Sequence, residues 1–281
     1  MTIGPITGAA RLSGVLGWPV SHSRSPRLHN FWLGRHGIDG AYVPLPVRPD
    51  DLRAALSGLA ACGFAGANVT IPHKEAVFAA CTSVDDSARL AGAVNTLMFR
   101  NGGLHGYNTD GAGFLANLSA HGISLQGPAL LLGAGGAARA IAAALLASGV
   151  RVTVANRSIL RAQALAASLP GIAVGAWHSR AEALADHALL VNTTSLGMMG
   201  QPQLDLDLSH AHAGLAVADI VYVPLRTRLL EAAAARGLRT VEGLGMLLHQ
   251  AVPGFAAWFG VTPVVDDAVR TLVSAGIPLT S

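Results

Sequence analysis

Four small residues in the middle of the chain, Gly133, Gly135, Gly136 and Ala138, have the types and spacing that cradle a pyrophosphate. They follow an aliphatic run, Ala129 to Leu132, that suits a buried parallel strand. An Ala/Leu-rich segment of good helix formers comes next and is closed by Gly149. Gly133 permits the tight turn, Gly135 lets the backbone approach the phosphates, and Ala138 lets helix and strand pack closely. Glycines also punctuate ordinary loops, and it is the strand before and the helix after that favour a dinucleotide. The end of the next strand, Arg151 to Ala155, decides which one. An NAD site carries Asp or Glu there to hold the ribose hydroxyls. This chain has Asn156, Arg157 and Ser158, with Arg161 one turn on. A carboxylate repels a 2′-phosphate, whereas a guanidinium binds it through paired, charge-assisted hydrogen bonds. The expected cofactor is therefore NADP(H). The alternative for Arg157 is a solvated residue opening a helix.

The first 110 residues carry polar groups directly after apolar strands, where α/β proteins place ligands. Ser21, Ser23 and Ser25 form an S-x-S-x-S run at a helix start, and hydroxyls with free N–H groups there suit a carboxylate. Ordinary capping by Ser25 is the competing account. Asn68 and Thr70, spaced by two along a strand, share a face that ends near Lys74. Read alone, Lys74 is a solvated helix residue and Asp110 a helix N-cap before Gly111.

Those residues need alternating strands and helices to position them. Ser13 to Gly17 reads as a strand, followed by a helix that starts with Ser25 as N-cap and Pro26 at its first position and runs to about His36. Ala41 to Val47 is a strand placed at a sheet edge by Pro44 and Pro46. Asp50 or Asp51 caps a helix ending at Gly63, and Gly66 to Ile71 is a strand leading into His73 and Lys74. Asn101-Gly102-Gly103 is a hairpin turn between Val94 to Phe99 and Leu104 to Asn108. A helix from about Ala112 to Ala120 leads to the glycine turn. Beyond it, strands are expected near 173–176, 189–192, 216–222 and 240–241, and helices near 182, 159–169 and 229–235. Two terminal helices, Met246 to Phe259 and Pro263 to Ala275, close the chain, with Pro253 expected to kink or divide the first. The fold class is α/β with two domains. Residues 1–110 with 244–281 form a mostly parallel α/β substrate domain, and residues 111–243 a Rossmann-type NADP domain, with Gly111 and Gly243 as hinges.

At 281 residues the chain exceeds one average domain. Hydrophobic residues make up 51% and charged ones 12%, a balance that excludes a disordered chain. Mean hydropathy of +0.45 raises the question of membranes. The longest apolar run, Ala140 to Leu146, is far short of the roughly 20 residues a span needs. The N-terminus lacks a basic segment followed by an apolar core, so no signal peptide is expected. The net charge of +3 is scattered, which argues against nucleic acid and suits anionic small molecules. Cys62 and Cys81 lack metal-type spacing and read as reduced core residues of a cytoplasmic protein. No metal site is expected.

The strings S-H-S-R-S-P, N-V-T-I-P-H-K, A-G-A-V-N-T, Y-N-T-D-G and G-L-G-M-L-L-H-Q stand in one order around G-A-G-G-A-A and N-R-S. As a set they closely resemble the shikimate dehydrogenase family, from about Gly14 to the final helices. The resemblance implies an NADP-dependent oxidoreductase acting on a CH–OH group. Its reaction is the reversible reduction of 3-dehydroshikimate to shikimate, on the route to chorismate and the aromatic amino acids. It implies that Ser23 and Ser25 bind the substrate carboxylate and that Thr70, Asn95, Asp110 and Gln250 hold the ring hydroxyls. Tyr222 and Lys74 also face the substrate, and Lys74 and Asp110 are the catalytic pair. The implied cofactor contacts are Gly133, Ala134, Gly135, Gly136, Ala137, Asn156, Arg157, Ser158, Arg161, Ile220 and Gly243. A ketone reduced by hydride becomes an alkoxide that needs a proton, and a Lys ammonium donates that proton or stabilises the charge. His73 stands where the family often has phenylalanine and is read as packing; His22 and His29 are read as surface or packing residues. A quinate/shikimate dehydrogenase using NAD, and a non-catalytic NADP(H) sensor, are the rivals. Asn156-Arg157 argues against the first and the pair Lys74 and Asp110 against the second. A monomer or homodimer is expected.

Overall fold

The computed structural model describes residues 6–280; residues 1–5, at the start of the expected N-terminal domain, and residue 281 lie outside the described residues. The chain divides into two units. The first runs to Thr109 and takes back Gln250–Val273; the second comprises Asp110–His249 and the residues from Ser274 onward.

In the first unit, β1 (Arg11–Gly17), α1 (Ser25–Arg35), β2 (Gly40–Pro46), α2 (Leu52–Ala61), β3 (Gly66–Val69), α3 (Lys74–Ala80), β4 (Ser83–Val84), α4 (Asp86–Ala91), β5 (Thr96–Arg100) and β6 (Gly103–Tyr107) follow in order. Their sheet has the order β2-β1-β3-β5-β6-β4. β1 runs parallel to β2 and β3, β4 parallel to β6, and β5 antiparallel to β3 and β6. Pro44 and Pro46 lie on the edge strand β2, where a missing N–H leaves no ladder bond broken on the open side. Asn101 (φ 51°) and Gly102 (φ 70°) close the β5–β6 hairpin with the two positive φ values that a tight turn between right-twisted strands requires. One sheet face packs Leu16, Val69 and Leu97 against Leu52, Leu56 and Val77 of α2 and α3. An aromatic cluster of Trp32, Tyr42, Phe255 and Trp258 is buried within the same unit.

The second unit holds α5 (Asp110–Ala120), β7 (Ala129–Leu132), α6 (Gly136–Ala147), β8 (Val152–Ala155), α7 (Ile159–Ser168), β9 (Ile172–Gly175), β10 (Leu189–Asn192), β11 (Ala216–Asp219), α8 (Arg228–Ala235) and β12 (Arg239–Val241). The order β12-β11-β10-β7-β8-β9 is parallel throughout, the Rossmann arrangement with a switch point beside β7. The four-residue run of β7 shows why its sequence is continuously apolar. Ala129 and Leu131 face a core with α5, α6 and α7, and Leu130 and Leu132 face a second core with α8. The chain ends with α9 (Gly243–Phe259) and α10 (Asp267–Ser274).

Several details depart from expectation. The unit boundary falls in α9 at Gln250 rather than at Leu244, because Met246 joins the core under α5 and α6 and Gly245 abuts Asn117. The C-terminal residues pack with the second unit through Leu225 and Arg226 N–H groups, which donate to the Pro278 and Leu279 carbonyls. Pro253 neither divides α9 nor is buried; its ring lies on the exposed side of a continuous helix. Gly111 lies inside α5 rather than at a loop, and a Cβ there would come within 2.6 Å of the Ala140 carbonyl of α6, so close packing accounts for it. Cys62 caps α2 on the surface and is not a core residue, while Cys81 is half-buried, its thiol pushed up to about 11 by burial. Asp50 and Asp51 make no capping bond to α2 and instead form a short 3-10 turn before it. Among the described residues no helix is long and apolar enough to cross a membrane.

Candidate active site

The carboxyl ends of β1 and β3 lie side by side, and the antiparallel β5–β6 pair brings the start of β5 and the end of β6 to the same edge of the sheet. Ser23, Ser25, Thr70, Lys74 and Asn95 of the first unit stand in the segments leaving or entering that edge. Ser25 is the first residue of α1 and buried, and it is the Ser23 hydroxyl that accepts the Ser25 N–H, at 3.3 Å. Arg24 therefore holds the N-cap position with no side-chain capping bond, and Ser25 is not the cap. Thr70 follows β3 directly, half-buried, its N–H donating to the Leu16 carbonyl. Lys74, also half-buried, opens α3.

A buried polar chain runs through this unit. The Tyr42 hydroxyl donates to Asn68 Oδ1 at 2.6 Å, and Asn68 Nδ2 donates to the Asn95 carbonyl and to Thr96 Oγ1 at 3.2 and 3.3 Å. Asn95 is then fixed from both sides: its Oδ1 accepts the Thr109 N–H and its Nδ2 donates to Thr109 Oγ1, both at 2.9 Å. Thr109 Oγ1 donates to the Gln250 carbonyl at 2.8 Å, and Asn95 Nδ2 lies 3.4 Å from Gln250 Oε1. Thus Asn95 and Gln250 are brought together by Thr109, a residue that sequence reasoning passed over. Burial pushes the Tyr42 phenol well above its ordinary range, with a hydrogen bond from Ser25 opposing it, so Tyr42 stays a donor.

The histidines sort themselves by burial. His29 is fully buried, stacked on Tyr42 with ring centroids 4.0 Å apart, and neither ring nitrogen has a hydrogen-bond partner. Burial lowers its pKa to about 3, the neighbouring Asn68 pulling the other way, so the ring is neutral and unsuited to acid–base work near pH 7. His22 is exposed. His73 does have a partner: its Nε2 lies 2.8 Å from the Val47 carbonyl, which fixes the turn that delivers Lys74.

The second unit gathers the expected dinucleotide residues at the carboxyl edge of its parallel sheet. Gly133 leaves β7 with φ +114°, and a Cβ there would come within 2.6 Å of Thr193 Oγ1, so only glycine fits. Gly135 and Gly136, by contrast, begin α6 with nothing within 4 Å of where a Cβ would stand. A pyrophosphate drawn to the N–H groups that open this 12-residue helix would meet no side chain at these two positions. Ala134 and Ala137 flank them, half-buried, and Ala138 is fully buried against the sheet. Arg157, Ser158 and Arg161 are exposed beyond β8, where Asn156 Nδ2 donates to the Ser158 carbonyl. Ile220 and Gly243 meet beyond β11 and β12: a Cβ on Gly243 would overlap the Ile220 carbonyl. These residues fit a dinucleotide, with the Arg157 and Arg161 guanidinium groups exposed beyond the end of β8. Asp110, buried, is the first residue of α5, and Tyr222 lies half-buried in the loop after β11. No group of residues able to hold a metal ion occurs among the described residues.

Comparison with known proteins agrees with both halves. Residues 15–97 match the shikimate dehydrogenase substrate binding domain, and residues 118–197 match the shikimate / quinate 5-dehydrogenase model. A shikimate dehydrogenase (NADP(+)) of Acidiphilium cryptum is 67% identical over 273 residues, 97% of this chain and 99% of the relative. A Thermus thermophilus shikimate 5-dehydrogenase, solved in complex with NADP(H) and shikimate, is 39% identical with a TM-score of 0.85, over 94% of this chain and 98% of that one. A quinate dehydrogenase of Corynebacterium glutamicum, solved in complex with NAD, is 30% identical with a TM-score of 0.86, over 94% and 98%. With both domain models matched and a relative so similar along its whole length, the chain belongs to the shikimate dehydrogenase family.

Proposed function

We propose that this protein is an NADP-dependent shikimate dehydrogenase, interconverting 3-dehydroshikimate and shikimate on the route to chorismate and the aromatic amino acids. The observation that carries the reading is the glycine turn opening α6, followed at the end of β8 by Asn156 and Arg157 where an NAD site would carry a carboxylate. Bound NADPH supplies the hydride to the substrate ketone. The chain supplies everything else. The Ser23 and Ser25 hydroxyls hold the carboxylate of the ring acid, and Thr70, Asn95 and Gln250 hold its hydroxyls. The Thr109 bonds that orient Asn95 support this, because a fixed amide discriminates between ring positions where a mobile one does not. Tyr222 adds a further hydroxyl contact.

Lys74 acts at the reacting oxygen, where its ammonium donates the proton or stabilises the developing negative charge. Asp110, a buried carboxylate at the start of α5, is the second member of the catalytic pair. Gly133 to Ala137 hold the diphosphate, Asn156, Arg157, Ser158 and Arg161 the 2′-phosphate, and Ile220 and Gly243 line the other end of the dinucleotide. The substrate domain is the first unit and the NADP domain the second. Two cysteines without a disulfide fit a cytoplasmic protein, working as a monomer or homodimer.

The quinate dehydrogenase relative gives the second reading its weight. Steady-state oxidation of shikimate and of quinate, each with NADP and NAD, separates them. Shikimate with NADP as the preferred pair supports the proposal; quinate with NAD as the preferred pair overturns it in favour of the rival, and no turnover of either acid overturns it outright.

A further inference from the structure

In the second unit, Asn192, Asp219 and Thr227 form a polar centre that neither the glycine turn nor the catalytic pair uses. All three side chains are essentially sealed from solvent, at 0%, 2% and 1% exposure. Asp219 is the last residue of β11. Its Oδ1 accepts from Asn192 Nδ2 and from the Val221 N–H, both at 3.0 Å, and its Oδ2 accepts from the Thr227 hydroxyl at 2.7 Å. These partners are uncharged, so the centre is no ion pair. Asn192, the last residue of the neighbouring β10, turns its other groups on the loop that follows it. Its Oδ1 accepts the Thr194 N–H and hydroxyl, and its Nδ2 also donates to the Leu196 carbonyl. Thr227 in turn caps α8 by accepting the Leu230 N–H.

The two loops held this way border the dinucleotide residues. The loop after β10 places Thr193 and Thr194 against Gly133, where even a Cβ would collide with the Thr193 hydroxyl. The loop after β11 carries Ile220 and Tyr222 and is packed against Gly243 through the Ile220 and Val221 carbonyls. In a parallel sheet of this order, the half beyond β7 on the β10–β11 side faces the reacting end of a dinucleotide, and the β8 side its adenosine end. We infer that Asn192, Asp219 and Thr227 are positioning residues that lock the loops 193–197 and 220–227 into one wall and so set the alignment of the nicotinamide for hydride transfer. This rests on reading the second unit as the NADP domain. It gives the centre a role separate from cofactor affinity, since the 2′-phosphate residues lie beyond β8 on the far side of β7 and the diphosphate is held by the N–H groups opening α6, none of which bonds to the three side chains.

Asp219→Asn keeps the shape but puts an amide donor where Oδ2 accepted the Thr227 hydroxyl, which already accepts from Leu230. Thr227→Val removes that hydroxyl, and Thr227→Ser restores it. Hydrogen exchange in the cofactor-free protein is the first measurement. Both loops should exchange about ten-fold faster or more in Asp219→Asn and Thr227→Val, and within about two-fold of wild type in Thr227→Ser. Acceleration confined to 220–227, or none, overturns the coupling. The second is turnover per NADPH-binding site, with sites counted by fluorescence titration. Asp219→Asn should lower kcat per site about ten-fold or more while the Kd for NADPH moves less than about three-fold. An unchanged kcat per site beside a lowered Tm would make the centre structural and overturn its positioning role. If Asp219→Asn does not fold, Thr227→Val carries the same comparison. Exchange needs no turnover, so an inactive wild-type enzyme overturns the dehydrogenase reading alone and leaves the loop coupling decided by exchange.

Discussion

Replacing Asp219 by asparagine should remove a defined part of the pH dependence of stability. Burial raises this carboxyl from 3.8 to about 6, winning over hydrogen bonds from Val221, Thr227 and Asn192, which favour the ionised form. The unfolded chain releases the proton near 3.8 and the folded protein holds it until about 6. Between those values the folded state binds more protons, so stability falls as pH rises. The contribution of the group is complete below about pH 4 and gone above about pH 6 to 7. A difference of roughly two pH units at about 1.4 kcal/mol each amounts to about 3 kcal/mol. Asparagine has no such proton. The unfolding free energy of wild type minus that of Asp219→Asn should therefore fall by about 3 kcal/mol between pH 3.5 and 7.5, whatever the constant offset from altered hydrogen bonding. Carboxyls such as Asp207, held low by Ser209, and Asp266, held low by the Val269 N–H and Arg35, titrate in both proteins and cancel. Urea unfolding followed by tryptophan fluorescence at half-unit pH steps measures the difference. A difference that stays flat, or that grows with pH, refutes the burial argument.

Three other outcomes follow from the site. Lys74→Met should lower kcat for shikimate oxidation by roughly 10²- to 10⁴-fold, with little change in Tm because the side chain is only half-buried, and near-normal turnover in a folded variant would remove Lys74 from the chemistry. Arg157→Ala, at an exposed position beyond β8, should raise the KM for NADP by about 10- to 100-fold, the value of one or two charge-assisted hydrogen bonds, while leaving the KM for NAD and for shikimate nearly unchanged. A parallel loss with NAD would mean that Arg157 does not read the 2′-phosphate. Tyr42→Phe leaves buried Asn68 Oδ1 without its donor and should cost about 1–3 kcal/mol of stability by urea unfolding, whereas an unchanged midpoint would show that the amide finds another partner.

What could be read from the sequence was whatever the backbone demands over a few neighbouring residues. A hairpin between right-twisted strands needs two adjacent positive φ values, and Asn101-Gly102 announces them. Edge prolines, the strand–glycine–helix turn and the continuously apolar β7 are local in the same sense. Polar pairing is not. Thr109 orients Asn95 from 14 residues away and reaches Gln250 across 141, and His73 finds Val47 only because the chain has returned through β3. Asn192 and Asp219, 27 residues apart, each end an apolar run and look like loop openers until adjacent parallel strands set them side by side. The strand expected over 216–222 stops at 219 for the same reason, since the Asp219 carboxylate takes the Val221 N–H and turns the chain out of the sheet. Sequence motifs therefore pick out groups that would touch ligands, while the groups that aim them emerge only from tertiary structure. If Asp219 sets the alignment of the reacting end, two chains with identical catalytic pairs and glycine turns can still differ in turnover through residues that touch no ligand at all.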